Sequence, residues 1–203
     1  MNDIIDTARP AVFVDRDGVI NKGGKVDRVQ EFELIPGAPR ALESLRDAGF
    51  LLVLVTNQTA LGEDNDGNVV WPDARLNRRH LAEITARMEY LLGLKFDANK
   101  FCPHAYFEPY NVQCECHKPK PGMLLDAARE LNIDLTRSWM IGDRAGDMHA
   151  AAAAGVTNRI LVTSGTSTEN QADLVKGGLY VVPSIVEASQ LIKARRRLDA
   201  GGC

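Results

Sequence analysis

Asp15 and Asp17 flank one arginine in the segment Asp15-Arg16-Asp17-Gly18, directly after the apolar run Ala11-Val12-Phe13-Val14. A carboxylate in such a place can attack phosphorus and form an aspartyl phosphate. A second carboxyl two residues on can protonate the leaving oxygen and later activate water. Phosphate esters repel anionic nucleophiles, so positive charge must be in place before attack. Lys118 and the hydroxyl of Thr56 are candidate ligands for the phosphoryl oxygens. Asp143 is a candidate to share Mg²⁺ with Asp15, because that ion favours one or two carboxylates plus water and substrate phosphate. Acids at strand ends also serve as helix caps and loop formers. Any one of these clusters is explained equally well that way. Four of them in this order point instead to phosphoryl transfer.

A second group of residues has a different chemistry. Cys102-Pro103-His104 and Cys114-Glu115-Cys116 supply three sulfurs and one imidazole within one short segment. Structural zinc takes such donors in a closed tetrahedron. In a reducing compartment the cluster favours metal over disulfide. The expectation is a structural zinc site made of Cys102, His104, Cys114 and Cys116. His80 and His117 are left over and read as surface or substrate-facing residues. Cys203 reads as a tail thiol.

These groups need a scaffold to bring them together. Ala11–Val14 and residues 51–55 read as buried strands, with a helix between them opened by Pro36-Gly37-Ala38-Pro39 and placing Leu42, Leu45 and Ala48 on one face. Residues 62–72 read as a polar loop and 73–92 as a helix. Another helix starts at Pro121, with Leu124, Leu125, Ala128 and Leu131 expected inward. Strands follow at 139–141, 159–163 and 180–182, and helices at 147–154 and 185–197. Alternating strands and helices predict an α/β fold, an open parallel sheet with helices on both faces and a small zinc-binding loop at 102–116. The whole chain, 1–203, reads as one domain with an insertion around 62–92. Open parallel sheets carry their sites beyond the carboxyl ends of the strands, where the four polar clusters fall.

Bulk properties narrow the classes. A chain of 203 residues supports one core of ordinary size. The net charge of −3 argues against a partner bound through a nucleic-acid backbone. No apolar run is long enough for a membrane span. The start, Met1-Asn2-Asp3-Ile4-Ile5-Asp6, lacks the regions of a signal peptide, so a cytoplasmic address is the default. The expected partner is a small phosphorylated metabolite, and the expected state is a monomer.

The segments Asp15-Arg16-Asp17-Gly18-Val19-Ile20-Asn21, Thr56-Asn57-Gln58, Lys118-Pro119 and Gly142-Asp143-Arg144-Ala145-Gly146-Asp147 resemble the four motifs of the haloacid dehalogenase superfamily. The resemblance implies a Rossmann-like sheet and Mg²⁺-dependent phosphatase activity. It implies Asp15 as nucleophile, Asp17 as acid and base, and Thr56 and Lys118 as phosphate ligands. The metal would be held by the carboxylates of Asp15 and Asp143 and the carbonyl of Asp17. Asn57, Gln58, His117 and Arg144 complete the expected phosphate- and substrate-binding set. The cysteine segment is similar to the zinc loop of two phosphatase groups, which act on D,D-heptose bisphosphate and on histidinol phosphate. Asn21, Pro119 to Leu125 and Val26 to Gly37 look like the heptose group, the preferred reading. Leu61-Gly62 and Asp143-Arg144-Ala145 look like the histidinol group, whose cationic substrate would suit Glu63, Asp64 and Asp66, although a solvated loop explains those acids too. The heptose group usually has Gly-Tyr where this chain has Gly24-Lys25, and arginine where it has His117. Outside this class stand a phospho-receiver module and a zinc-loop interaction module. Asp17, placed to activate water, argues for turnover.

Overall fold

The computed structural model describes residues 8–165 and 179–200, the last two without their side chains. Met1–Asp6 and Cys203 lie outside this range. Six strands form one parallel sheet in the order β3-β2-β1-β4-β5-β6. They are β1 (Ala11–Val14), β2 (Leu51–Asn57), β3 (Ala98–Cys102), β4 (Trp139–Gly142), β5 (Asn158–Val162) and β6 (Leu179–Val182). The helices are α1 (Ala38–Asp47), α2 (Arg78–Leu92), α3 (Gly122–Glu130), α4 (Ala145–Ala154) and α5 (Ile185–Ala200).

Side chains alternate across a strand, so an all-apolar central strand feeds two cores. Val12 and Val14 of β1 join the core under α1, α2 and α5, while Ala11 and Phe13 join the core under α3 and α4. This is the expected sheet with helices on both faces. Strand β1 lies between β2 and β4, pairing Val14 with Leu54 on one side and Ile141 on the other. The three strand ends that carry polar clusters are therefore neighbours.

The structure departs from the sequence expectations in several places, among them α4, which starts two residues early at Ala145. Strand β2 runs two residues past Val55, because β3 pairs with it as far as Asn57 and Cys102. Strand β3 itself, Ala-Asn-Lys-Phe-Cys, was not expected; as an edge strand it is half exposed and lacks an apolar run. Helix α2 begins at Arg78 rather than Asp73, because Asn77 caps it by accepting from the His80 amide at 2.9 Å. In α3 the buried face is Met123, Leu124 and Ala127, and Leu125 points outward.

Asn77→Ala removes that cap, a loss that costs about 1 kcal/mol of stability. Thermal unfolding should show Tm lowered by roughly 2–4 °C, with Asn77→Asp near the parent value.

Candidate active site

Asp15 follows β1 and continues its ladder, its amide donating to the Ile141 carbonyl at 3.0 Å. That bond holds Asp15 beside the end of β4, where Asp143 follows Gly142. Carboxylate oxygens of Asp15, Asp143 and Asp147 lie within 4.8 Å of one another, and all three residues are buried. Gly18 makes the approach possible. Its φ is +82°, and a Cβ there would come 2.6 Å from Asp143 Oδ2.

Lys118 is the buried cation shared within this cluster, and Arg144 approaches Asp143 from outside it, Nε 3.9 Å from Oδ1. Lys118, only 6% exposed, places Nζ 2.9 Å from Asp15 Oδ1 and 2.5 Å from Asp147 Oδ1, and donates to the Val55 carbonyl at 2.8 Å. Burial alone would pull its pKa down, but Asp147 and Asp15 outweigh burial and push it up. The ammonium is therefore a fixed positive charge. It leaves Asp143 least compensated. Burial, reinforced by Asp15 and Asp147, pushes the Asp143 carboxyl up to about 7, and its Oδ1 is buried without a hydrogen-bond partner. Three carboxylates, one of them with an oxygen left without a hydrogen bond, form a donor set suited to a hard divalent cation such as Mg²⁺.

Asp147 was not among the expected site residues. It lies in the fourth motif and reads from sequence as a helix-opening acid. It does both jobs: Oδ2 accepts from the Arg144 amide at the start of α4, at 3.1 Å, while Oδ1 holds Lys118.

A further layer sits behind. Arg16, 1% exposed, donates through Nε to Asp17 Oδ1 at 2.9 Å and through Nη2 to Asp17 Oδ2 at 3.1 Å. Burial raises the Asp17 pKa, and Arg16 holds that rise back. Gln58 accepts from Arg16 at 3.1 Å and donates to Thr56 Oγ1 at 2.8 Å. The Thr56 hydroxyl, accepting there, keeps its proton to donate elsewhere. Arg16 had no sequence signal, since a basic residue between two acids usually marks a solvated loop.

A cavity of about 480 Å³ opens over these groups, a size suited to a small molecule. Asp15, Asp17, Thr56, Asn57, His117, Lys118 and Arg144 all line it. Gln58 and Asp143 do not line it. Asn57 grips the backbone of Lys118 at both ends, accepting from its amide at 3.1 Å and donating to its carbonyl at 3.2 Å. His117 forms part of the wall, stacked on Tyr106 with ring centres 3.9 Å apart. Burial, then the charges of Lys118 and Lys25, lowers its pKa to about 4, so it is neutral.

The cysteine cluster stands beside the cavity. Cys102 Sγ is 3.8 Å from Cys114 Sγ and 3.5 Å from His104 Nδ1, which is 3.1 Å from Cys116 Sγ. Tetrahedral zinc with sulfur at about 2.3 Å requires donor separations near these values. Cys116 leads directly into His117 and Lys118. Lys120 returns to the cluster through the Cys114 carbonyl at 2.7 Å, and the Gly122 amide through that of Glu115 at 2.9 Å.

The insertion braces the same loop. Glu63 is buried rather than solvated and takes Arg78 in a two-pronged pair, Nη2 to Oε2 at 2.7 Å. Its backbone bonds to Pro103 and Ala105 on either side of His104. Asp64 turns inward on its own loop, accepting from the Asp66 and Asn68 amides at 2.9 Å. None of Glu63, Asp64 and Asp66 lines the cavity. Trp71 packs on Phe107, ring centres 5.2 Å apart, and Phe107 and Tyr106 form the lip of the cavity.

A family model described as HAD-hydrolase-like matches residues 115–188. The D-glycero-β-D-manno-heptose-1,7-bisphosphate 7-phosphatase of Photorhabdus laumondii is 38% identical over 189 residues, covering 88% of this chain and 95% of that protein. Its counterpart from Vibrio cholerae is 40% identical over 173 residues, covering 82% and 88%. The crystal structure of D,D-heptose 1,7-bisphosphate phosphatase from B. bronchiseptica, complexed with magnesium and phosphate, superposes with a TM-score of 0.75 at 29% identity, covering 92% of this chain and 99% of that one.

Asn57→Ala releases the Lys118 backbone and should lower kcat by roughly 10–100-fold, a loss in the range typical of groups that orient an active-site residue. Steady-state kinetics should show a smaller change in KM. Metal analysis of protein purified without chelator should find about one zinc per chain, since the donor set closes one tetrahedral site. Cys114→Ser should lower that content and Tm together.

Proposed function

Because the chain belongs to the HAD-like hydrolase family that includes the D-glycero-β-D-manno-heptose-1,7-bisphosphate 7-phosphatases, we propose that it removes the 7-phosphate of that sugar bisphosphate through an aspartyl phosphate at Asp15. The observation that carries this is the Lys118 ammonium shared between Asp15 and Asp147 at the floor of the cavity.

Asp15 is the nucleophile. Lys118 neutralises its charge repulsion with the ester, and the Thr56 hydroxyl donates to a phosphoryl oxygen. Asp17 serves as general acid for the leaving oxygen, and the burial that raises its pKa favours the protonated form this role needs. It then takes a proton from the water that hydrolyses the acyl phosphate. Arg16 and Gln58 keep its carboxyl aimed through both steps. Asp15, Asp143 and the Asp17 carbonyl would hold Mg²⁺, with Asp147 close by. When bound, that ion supplies charge neutralisation and alignment of the phosphoryl group. A zinc ion on Cys102, His104, Cys114 and Cys116 would fold the loop that delivers His117 and Lys118. Thiols kept free for metal suit a cytoplasmic setting. Among the described residues no helix is long and apolar enough to cross a membrane.

Acids near the substrate's amine would help the histidinol phosphate reading. Glu63, Asp64 and Asp66 are the acids it named, and none of them lines the cavity. Beyond Asp15, Asp17 and Asp147 no acid lines the cavity among the described residues, whereas Lys25, Lys118 and Arg144 do line it.

Steady-state kinetics with both substrates tests the assignment. Heptose 1,7-bisphosphate should be preferred by at least tenfold in kcat/KM, about 1.4 kcal/mol in the transition state. A preference for histidinol phosphate would overturn it. Asp15→Asn should lose activity on either compound by roughly a thousandfold or more, as expected when a covalent nucleophile is removed.

A further inference from the structure

Lys118 is consumed by the reaction centre, its ammonium shared among Asp15, Asp147 and the Val55 carbonyl. Two other cationic side chains face the same cavity, Lys25 and Arg144. Arg144 leans toward Asp143, with Nε 3.9 Å from Oδ1. Lys25 has no carboxylate at ion-pair distance among the described residues. Its ammonium donates to the Thr59 hydroxyl at 2.8 Å, and Thr59 also lines the cavity.

The backbone presents this lysine deliberately. Asn21 is fully buried, and its Nδ2 donates to the carbonyls of Lys22 and Gly24, each at 3.2 Å. Asn21 also bridges to Asp17, and its backbone to Leu34. The short loop that carries Lys25 thus hangs from the loop that carries the acid and base. Its lysine remains exposed to solvent but lines the cavity, with its ammonium fixed on Thr59.

A sugar bisphosphate brings two dianionic groups. One meets Asp15 and Lys118. The other needs a cation outside the reaction centre, because Lys118 is already shared. We propose that Lys25 is that cation: it binds the phosphate that is not transferred, with Thr59 fixing its position. The assignment rests on the bisphosphatase reading above. It makes Lys25 a specificity-determining residue, one that separates sugar bisphosphates from sugar monophosphates without touching the reacting atoms. Burial, and then the neighbouring charges of Arg144 and Arg75 against Asp17 and Asp27, leaves its pKa lowered. An arriving phosphate would reverse that effect, so the loop is arranged to gain from an anion.

The test compares two substrates that differ only in the distal phosphate, heptose 1,7-bisphosphate and heptose 7-phosphate. Wild type should prefer the bisphosphate. In Lys25→Gln that preference should shrink by about tenfold or more, mainly through KM, the size expected for a charge-assisted hydrogen bond. Lys25→Arg should restore most of it. If wild type prefers the bisphosphate and Lys25→Gln keeps the full preference, the Lys25 assignment is wrong while the bisphosphatase reading stands. If wild type has no preference, both are overturned.

Discussion

One buried ammonium holds this molecule's chemistry together. Lys118 must neutralise carboxylates that arrive from two different strand ends, and it does so while almost fully buried. Removing one partner from such a buried pair typically costs about 3–5 kcal/mol, because the other charge is left uncompensated. The fold is arranged around that requirement. Strand β1 delivers Asp15, α4 delivers Asp147, and β2 supplies both the Val55 carbonyl and the Asn57 side chain that grips the lysine backbone. The sheet order β2-β1-β4 makes those contributions neighbours.

Lys118 belongs to no strand. It sits on the segment between the cysteine cluster and α3, and its position depends on that segment being folded. The donors Cys102, His104, Cys114 and Cys116 close the segment on itself, and Cys102 ends β3, so the closure is anchored to the sheet. The insertion adds a second brace through Glu63 and Arg78, and the Trp71–Phe107 contact extends it to the cavity lip. The loop over the cavity is therefore built from polar groups and a Cys/His cluster able to hold a metal more than from apolar packing, and a metal there would give a short segment with little hydrophobic content one conformation.

Much of this was legible in the sequence, for definable reasons. Buried parallel strands such as Ala11–Val14 and the helix stop at Gly155 announce themselves by composition. Donor types and spacing marked out the cysteine cluster. What stayed hidden were features that depend on partners distant in the chain. Strand β3 looks polar because it is an edge, and its identity comes from pairing with β2. Asp147 and Arg16 look like a cap and a solvated base until Lys118 and Gln58 are placed against them. Glu63 looks like a loop acid until Arg78 covers it. Asn57 and Gln58 were grouped with the substrate ligands, and the structure gives each a positioning contact, to Lys118 and to Thr56. The family relationship rests on sequence similarity across most of the chain, and the substrate reading adds to it the cations Lys25 and Arg144 that line the cavity besides Lys118.

The central claim is that Asp15 carries the phosphoryl group during turnover. Enzyme quenched in acid during turnover of heptose 1,7-bisphosphate can be treated with borohydride, which reduces an acyl phosphate to an alcohol. Peptide mass spectrometry should then find homoserine at position 15, a loss of about 14 Da at the residue that formed the covalent intermediate. Homoserine at position 143 or 147, or at no aspartate while phosphate is still released, would contradict the account.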